Sequence, residues 1–147
     1  MDLYNTLPRK SIIREVCEIF YEKVYDHEWI SRFFKDVTKE HITKQQTHFV
    51  TAALGGPKLY CGRLAKDAHV HMLITEELFE LRKSMLVEAL DEAHAPVELK
   101  ERWLRIDEGF RRGMVKTSVT QCTKRYFSDT IKAFKNPKAG PPRRRSA

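Results

Sequence analysis

Tyr21, Gln46 and His69 are the side chains of this sequence whose type and placement could do chemistry: a phenol, an amide and an imidazole, which are two hydrogen-bond donors and a metal ligand. Gln46 is four residues after Ile42 and four before Val50, so its amide shares the inward face of one helix with them. Two readings stand for it, a buried amide satisfied by a neighbouring carbonyl and a donor aimed at a bound molecule. Tyr21 directly follows Phe20 on the flank of an apolar stripe, where the ring can bury while the hydroxyl still needs a partner. His69 lies just after a Gly-Gly-Pro turn, with His71 two residues later. That spacing is about 200° of helical rotation, so the two rings cannot address one target and a paired zinc site is not supported. A single imidazole ligand and a plain surface histidine both stay open for His69. His41 and His48 share the face opposite Gln46 and read as solvated.

Other chemistries are excluded by what surrounds these residues. Cys17, Cys61 and Cys122 are odd in number and widely spaced, with no Cys-x-x-Cys, so neither a zinc ribbon nor thioether attachment of haem is signalled. Together with an opening Met1-Asp2-Leu3 that lacks the basic and apolar parts of a secretory signal, this leads us to expect a reducing cytoplasm. No apolar run approaches the roughly 18 residues of a membrane helix. Six of the seven net positive charges fall from Lys132 onward, on Lys132, Lys135, Lys138, Arg143, Arg144 and Arg145. The body is therefore almost neutral, and stretches such as "ELKERWLRIDEGFRR" interleave both signs as a solvated helix face does. A nucleic-acid partner is not expected from such a body.

The elements that must position the three side chains are helical. Ile12, Ile13, Val16, Ile19, Phe20 and Val24 recur every three or four residues and predict a helix over 11–25, with Ser11 as its candidate N-cap. A short aromatic segment around Trp29, Ile30, Phe33 and Phe34 follows, and then Thr38 caps a second helix running to Leu54. Gly55-Gly56-Pro57 ends it, since glycine permits the left-handed conformation at a helix C-terminus and proline cannot continue the ladder. Residues 64–71 allow only a brief helix. A third long helix starts at Thr75 with the stripe Leu78, Leu81, Met85, Leu86, Ala89 and Leu90, and a fourth begins at Pro96 with Leu99, Trp103, Ile106, Phe110 and Met114. Residues 119–136 are read as a helical extension of weaker pattern, and 137–147 as a flexible basic tail. The class is all-α, with four main helices around one core.

Three stretches in order, "IFYEKVYDHEWISRFF", "KQQTHFVTAALGGPKLYCG" and "DAHVHMLITEELF", resemble the truncated haemoglobins, most closely their first group. The resemblance covers Leu3 to about Met114, and we place the globin domain at 1–118. It implies a two-over-two helical sandwich around non-covalent haem b, iron protoporphyrin IX, with His69 as the axial iron ligand. Tyr21 and Gln46 then fall on the distal tyrosine and glutamine, Ile42 over the iron, and Phe34 and Phe79 against the porphyrin. The Gly-Gly-Pro turn halts the distal helix so that the chain can cross to the other face of the haem. The chain departs from the family at Pro8-Arg9, where Gly-Gly is usual, and at Val70-His71-Met72-Leu73, where a Gly-rich hinge is usual. Arg82, four after Leu78, stands where an apolar residue is usual and is expected to snorkel to water, the alternatives being a propionate ion pair or a contact with bound ligand.

The function implied is binding of dioxygen, nitric oxide and carbon monoxide, as oxygen transport, gas sensing or conversion of nitric oxide to nitrate. Turnover in that conversion needs a separate reductase, as no flavin or nicotinamide motif is present. The competing expectation is a haem-free helical interaction module that binds nucleic acid or an acidic partner through the basic tail.

Overall fold

The computed structural model describes residues 2–138; Arg143, Arg144 and Arg145 of the expected basic tail lie outside them. The chain runs through α1 (Leu3–Thr6), α2 (Ile12–Asp26), a 3-10 turn (Ile30–Phe34), α3 (Lys39–Ala53), α4 (Ala65–His69), α5 (Glu76–Glu92), α6 (Val97–Glu108) and α7 (Arg111–Met114). The fold is the two-over-two sandwich, in which α2 packs on both α3 and α5, and α5 packs on α6. Helix α2 buries Ile12, Ile13, Val16, Cys17, Phe20, Tyr21 and Val24, the face its periodicity predicts. Helix α5 buries Leu78, Phe79, Met85, Leu86, Ala89 and Leu90 against it.

Caps hold the helix ends. The Thr38 hydroxyl oxygen accepts from the His41 N–H at 3.2 Å, and the Thr75 oxygen accepts from the Leu78 N–H at 3.2 Å. Each such cap is worth about 0.5–2 kcal/mol. Ser11 does not cap α2. Its own backbone is already helical, and its hydroxyl donates instead to the Glu15 carboxylate, which Arg9 also holds.

Helix α3 stops at Gly55, whose φ of +92° is the left-handed conformation a side chain would resist. The turn is also a docking surface. The Tyr4 N–H donates to the Leu54 carbonyl at 3.0 Å, and a Cβ on Gly56 would come within 2.7 Å of the Tyr4 ring. Glycine here lets α1 close over the end of α3.

Two expected helices are changed. The fourth breaks at Gly109-Phe110 into α6 and α7, which turns Phe110 onto Phe49 with ring centroids 5.7 Å apart. The extension over 119–136 is not a helix but an extended strap with a single 3-10 turn at Val119–Gln121. Its backbone groups are engaged elsewhere: the Thr123 N–H donates to the Val70 carbonyl, the Lys132 N–H to the His71 carbonyl and the Leu73 N–H to the Lys132 carbonyl, all at 2.8 Å. The strap ends where the Trp29 indole N–H donates to the Phe134 carbonyl at 2.7 Å and the Phe134 ring meets Phe33 edge-on. Thr123 and Lys132 are thus bridged to residues 70–73 instead of to a helical ladder of their own.

Candidate functional site

A cavity of about 270 Å³ opens between α2, α3, α4 and α6, just below the range of about 300–1,000 Å³ typical of ligand sites. Tyr21, Phe34, Ile42, Gln46 and His69 all line it. They come from four elements: α2 supplies Tyr21, the aromatic turn Phe34, α3 both Ile42 and Gln46, and α4 His69. Phe79 does not line it. The Phe79 ring is fully buried under two guanidinium groups, Arg82 at 4.8 Å and Arg111 at 4.6 Å, and Arg82, three residues on, faces the cavity in its place.

On one wall, His69 Nδ1 lies 2.5 Å from the Ala65 carbonyl, one turn back on α4. A carbonyl can only accept, so Nδ1 carries the proton and the lone pair is left on Nε2. Burial pushes the His69 imidazole below its ordinary value, against the Ala65 hydrogen bond, which raises it. A neutral imidazole with a fixed tautomer is what a metal ligand requires. The Lys116 ammonium holds the chain just beyond, donating to the carbonyls of His69 (3.2 Å), Met72 (3.0 Å) and Met114 (3.3 Å).

His71 points elsewhere. It is fully buried outside the cavity wall, and neither ring nitrogen has a partner among the described residues. Burial first, and Arg125 second, push it down to about 4, so it is neutral near pH 7. His41, expected to be solvated, is exposed but also reaches the cavity's edge.

The Tyr21 ring, also on the cavity lining, is packed edge-on against Phe20 (4.9 Å) and Phe34 (6.0 Å), which fixes its direction. Burial pushes its phenol upward, so the hydroxyl keeps its proton and can donate. Both that hydroxyl's ring and the Gln46 side chain line the cavity, where the amide meets open space and not a neighbouring helix. A phenol, an amide and an imidazole with its lone pair on Nε2 thus line one mostly apolar cavity.

Arg82 does not snorkel. Its Nη2 donates to both carboxylate oxygens of Asp107, at 2.6 and 2.5 Å, and the two side chains are only 22% and 13% exposed. The guanidinium turns inward because α6 presents a carboxylate to it, a partner 25 residues away that helical periodicity cannot reveal. Arg125 of the strap also lines the cavity, locked by Asp129 through Nε at 2.8 Å and Nη2 at 3.0 Å. Sequence reasoning missed Asp107, Lys116, Arg125 and Asp129; the one available signal was Arg82 itself, a cation on an apolar stripe.

Comparison with known proteins accords with this geometry. Residues 2–116 match the bacterial-like globin family. The chain is 30% identical over 113 residues to a group 1 truncated haemoglobin of Tetrahymena pyriformis, covering 77% of this chain and 93% of that protein. It is 33% identical over 96 residues to the group 1 truncated haemoglobin GlbN of Mycolicibacterium paratuberculosis, covering 65% and 71%. Among solved structures, a ferric variant of the T. pyriformis truncated haemoglobin superposes with a TM-score of 0.68 at 28% identity, over 80% of this chain and all of that one. The group II truncated haemoglobin of Bacillus anthracis gives 0.72 at 25% identity, over 80% and 92%. The strap lies beyond the residues that the family match covers.

Proposed function

The chain belongs to the bacterial-like globin family and has the truncated haemoglobin fold, and from that premise we propose that it holds non-covalent haem b through His69 and binds dioxygen reversibly between Tyr21 and Gln46. The observation that carries the reading is the His69 tautomer: Nδ1 is committed to the Ala65 carbonyl, and Nε2 is left for the metal in the same cavity that both distal donors face.

When bound, the haem supplies the iron at which diatomic gases are held. The protein's part is orientation, exclusion of water and hydrogen bonding. Phe34 and Ile42 provide apolar wall, which keeps the cavity dry and strengthens every polar contact inside it. The Tyr21 hydroxyl and the Gln46 amide donate toward a ligand whose outer atom carries negative charge, as dioxygen's does and carbon monoxide's far less. Lys116 and the strap keep the segment after His69 from drifting, by tying its carbonyls from outside the cavity.

The reaction we assign is conversion of nitric oxide and dioxygen to nitrate, which takes up one electron supplied by a separate reductase. Both donors of the distal wall serve it, since they hold dioxygen long enough for the second gas to arrive. The haem-free interaction module finds no support in a chain of this family. No helix among the described residues is long and apolar enough to cross a membrane; we place the protein in the cytoplasm.

The absorption spectrum tests this directly. Purified protein, supplied with haemin where needed, should show a strong Soret band that shifts on reduction and again on addition of carbon monoxide, and His69→Ala should abolish or greatly weaken it. A colourless protein that takes up no haemin would overturn the proposal.

A further inference from the structure

We infer that Arg82 and Asp107 form an anion-selective subsite in the distal wall, which takes small inorganic anions of the nitrite, nitrate and azide class beside the haem; this rests on the haem reading above. The cation is unusual in its setting. Position 82 falls on the buried stripe of α5, and the guanidinium lies over the Phe79 ring inside the fold. Gln46, Arg82 and Asp107 share a recess too small to hold an anion itself, closed by Cys17, Phe20, Leu86 and Trp103. Arg82 and Asp107 also line the main cavity with Tyr21. Donors from three helices therefore line the main cavity: a phenol from α2, an amide from α3 and a guanidinium from α5.

An ion pair that only joined α5 to α6 would use the guanidinium's fork, with two nitrogens on two oxygens. Here one nitrogen, Nη2, serves both Asp107 oxygens. Nη1 binds no acceptor among the described residues, and Nε is buried without a partner. The two Nη1 donors are thus left for another acceptor, while Nε is closed off from anything entering the cavity. Asp107 offsets the positive charge while the cavity is empty of anions, and it competes with any anion that enters. A neutral diatomic ligand draws little on such a site. A small anion draws on it strongly, because a charge-assisted hydrogen bond in a water-poor cavity exceeds its neutral counterpart. Nitrate, the product of the assigned reaction, belongs to the class the subsite would hold as it forms and leaves.

The opposed roles of the two residues make the test. Azide and nitrite dissociation constants are measured by absorbance on the ferric protein, with imidazole on the ferric form and carbon monoxide on the ferrous form as neutral controls. Arg82→Met should weaken azide and nitrite by about tenfold to a hundredfold, with the neutral ligands changed by less than about threefold. Asp107→Asn should do the reverse and tighten both anions by about threefold or more, because the competing carboxylate is gone while Arg82 stays. Melting temperatures by circular dichroism identify loss of fold. Should Arg82→Met not fold, Asp107→Asn decides alone: tighter anions with unchanged neutral ligands support the subsite, and unchanged anions overturn it. Anion and neutral affinities that shift together in both variants also overturn it and leave the haem reading intact. Failure of the unaltered protein to take up haemin overturns both.

Discussion

Replacing Lys116 by Met removes the ammonium that ties the proximal segment while keeping most of the aliphatic stem. The ammonium donates to three carbonyls, of His69, Met72 and Met114. A hydrogen bond from a charged donor is worth about 1.5–3 kcal/mol net, and an acceptor left unsatisfied in the interior adds to the loss. That second penalty is small here. The His69 carbonyl keeps the Met72 N–H at 3.0 Å and the Met72 carbonyl keeps the Ile74 N–H at 3.1 Å. The three contacts are also long, so the total should sit near about 2 kcal/mol rather than at a multiple of the single-bond value. For a chain of this size about 1 kcal/mol moves the melting temperature by roughly 2–4 °C, so the drop should be about 4–8 °C. Because the segment released is the one that follows His69, haemin should also leave several-fold faster, measured by transfer to an acceptor apoglobin. Lys124→Met is the control: that side chain makes no hydrogen bond among the described residues, and it should cost less than about 0.5 kcal/mol. A Lys116→Met protein that melts within 1–2 °C of the parent, roughly what the control allows, and loses haemin at the same rate would refute the idea that this ammonium holds the proximal segment.

Tyr21→Phe should raise the dioxygen dissociation rate by about tenfold to a hundredfold in stopped flow, while carbon monoxide escape changes much less, and equal acceleration of both would make Tyr21 a steric gate instead of a donor. His69→Ala should lose haem, whereas His71→Leu should retain it and melt no lower than the parent, since it replaces a buried ring with two unpartnered nitrogens by an apolar side chain; loss of the Soret band in the second variant with retention in the first would reverse the assignment. Asp129→Asn tests the strap by pH. Arg125 holds the Asp129 carboxyl below its ordinary value of 3.8, so the folded form keeps its charge after the unfolded chain has protonated. The stabilisation is then full above that value and is lost as pH falls below it. The variant should melt lower than the parent at pH 7, by an amount equivalent to about 1.5–3 kcal/mol, and the gap should close below pH 3.8; a gap independent of pH would show that the carboxylate's charge is not what holds the strap's Arg125–Thr130 turn together.

How much of this was legible in advance can be judged from particular residues. The long helices, the caps at Thr38 and Thr75 and the stop at Gly55 could all be read, because each depends on neighbours within about four residues and on backbone sterics that tertiary contacts do not change. The inward face of Gln46 followed from the same short-range periodicity, and Tyr21 fell on the flank of such a stripe, whereas His69 was singled out only by the family resemblance. The expected Ser11 cap failed for a local reason as well, since Arg9 and Ser11 compete for Glu15 and leave the hydroxyl occupied.

What only the tertiary structure decided is the identity of partners. Periodicity says that Arg82 lies on a buried face, and snorkelling is the default for a long cation there; that it turns inward depends on Asp107 arriving from α6. The strap had enough helical pattern to be read as a helix, yet its Trp29–Phe134 hydrogen bond spans 105 residues, and its backbone is held to residues 70–73. The full burial of His71, whose carbonyl accepts from the strap's Lys132 N–H, likewise could not be read from its place in the sequence. Helix periodicity is a property of consecutive dihedrals, so a sequence carries it openly. An ion pair or a backbone bridge between distant segments forms only after the helices have packed, and its energy is too small beside the burial of the core to leave a separate trace in the order of the residues.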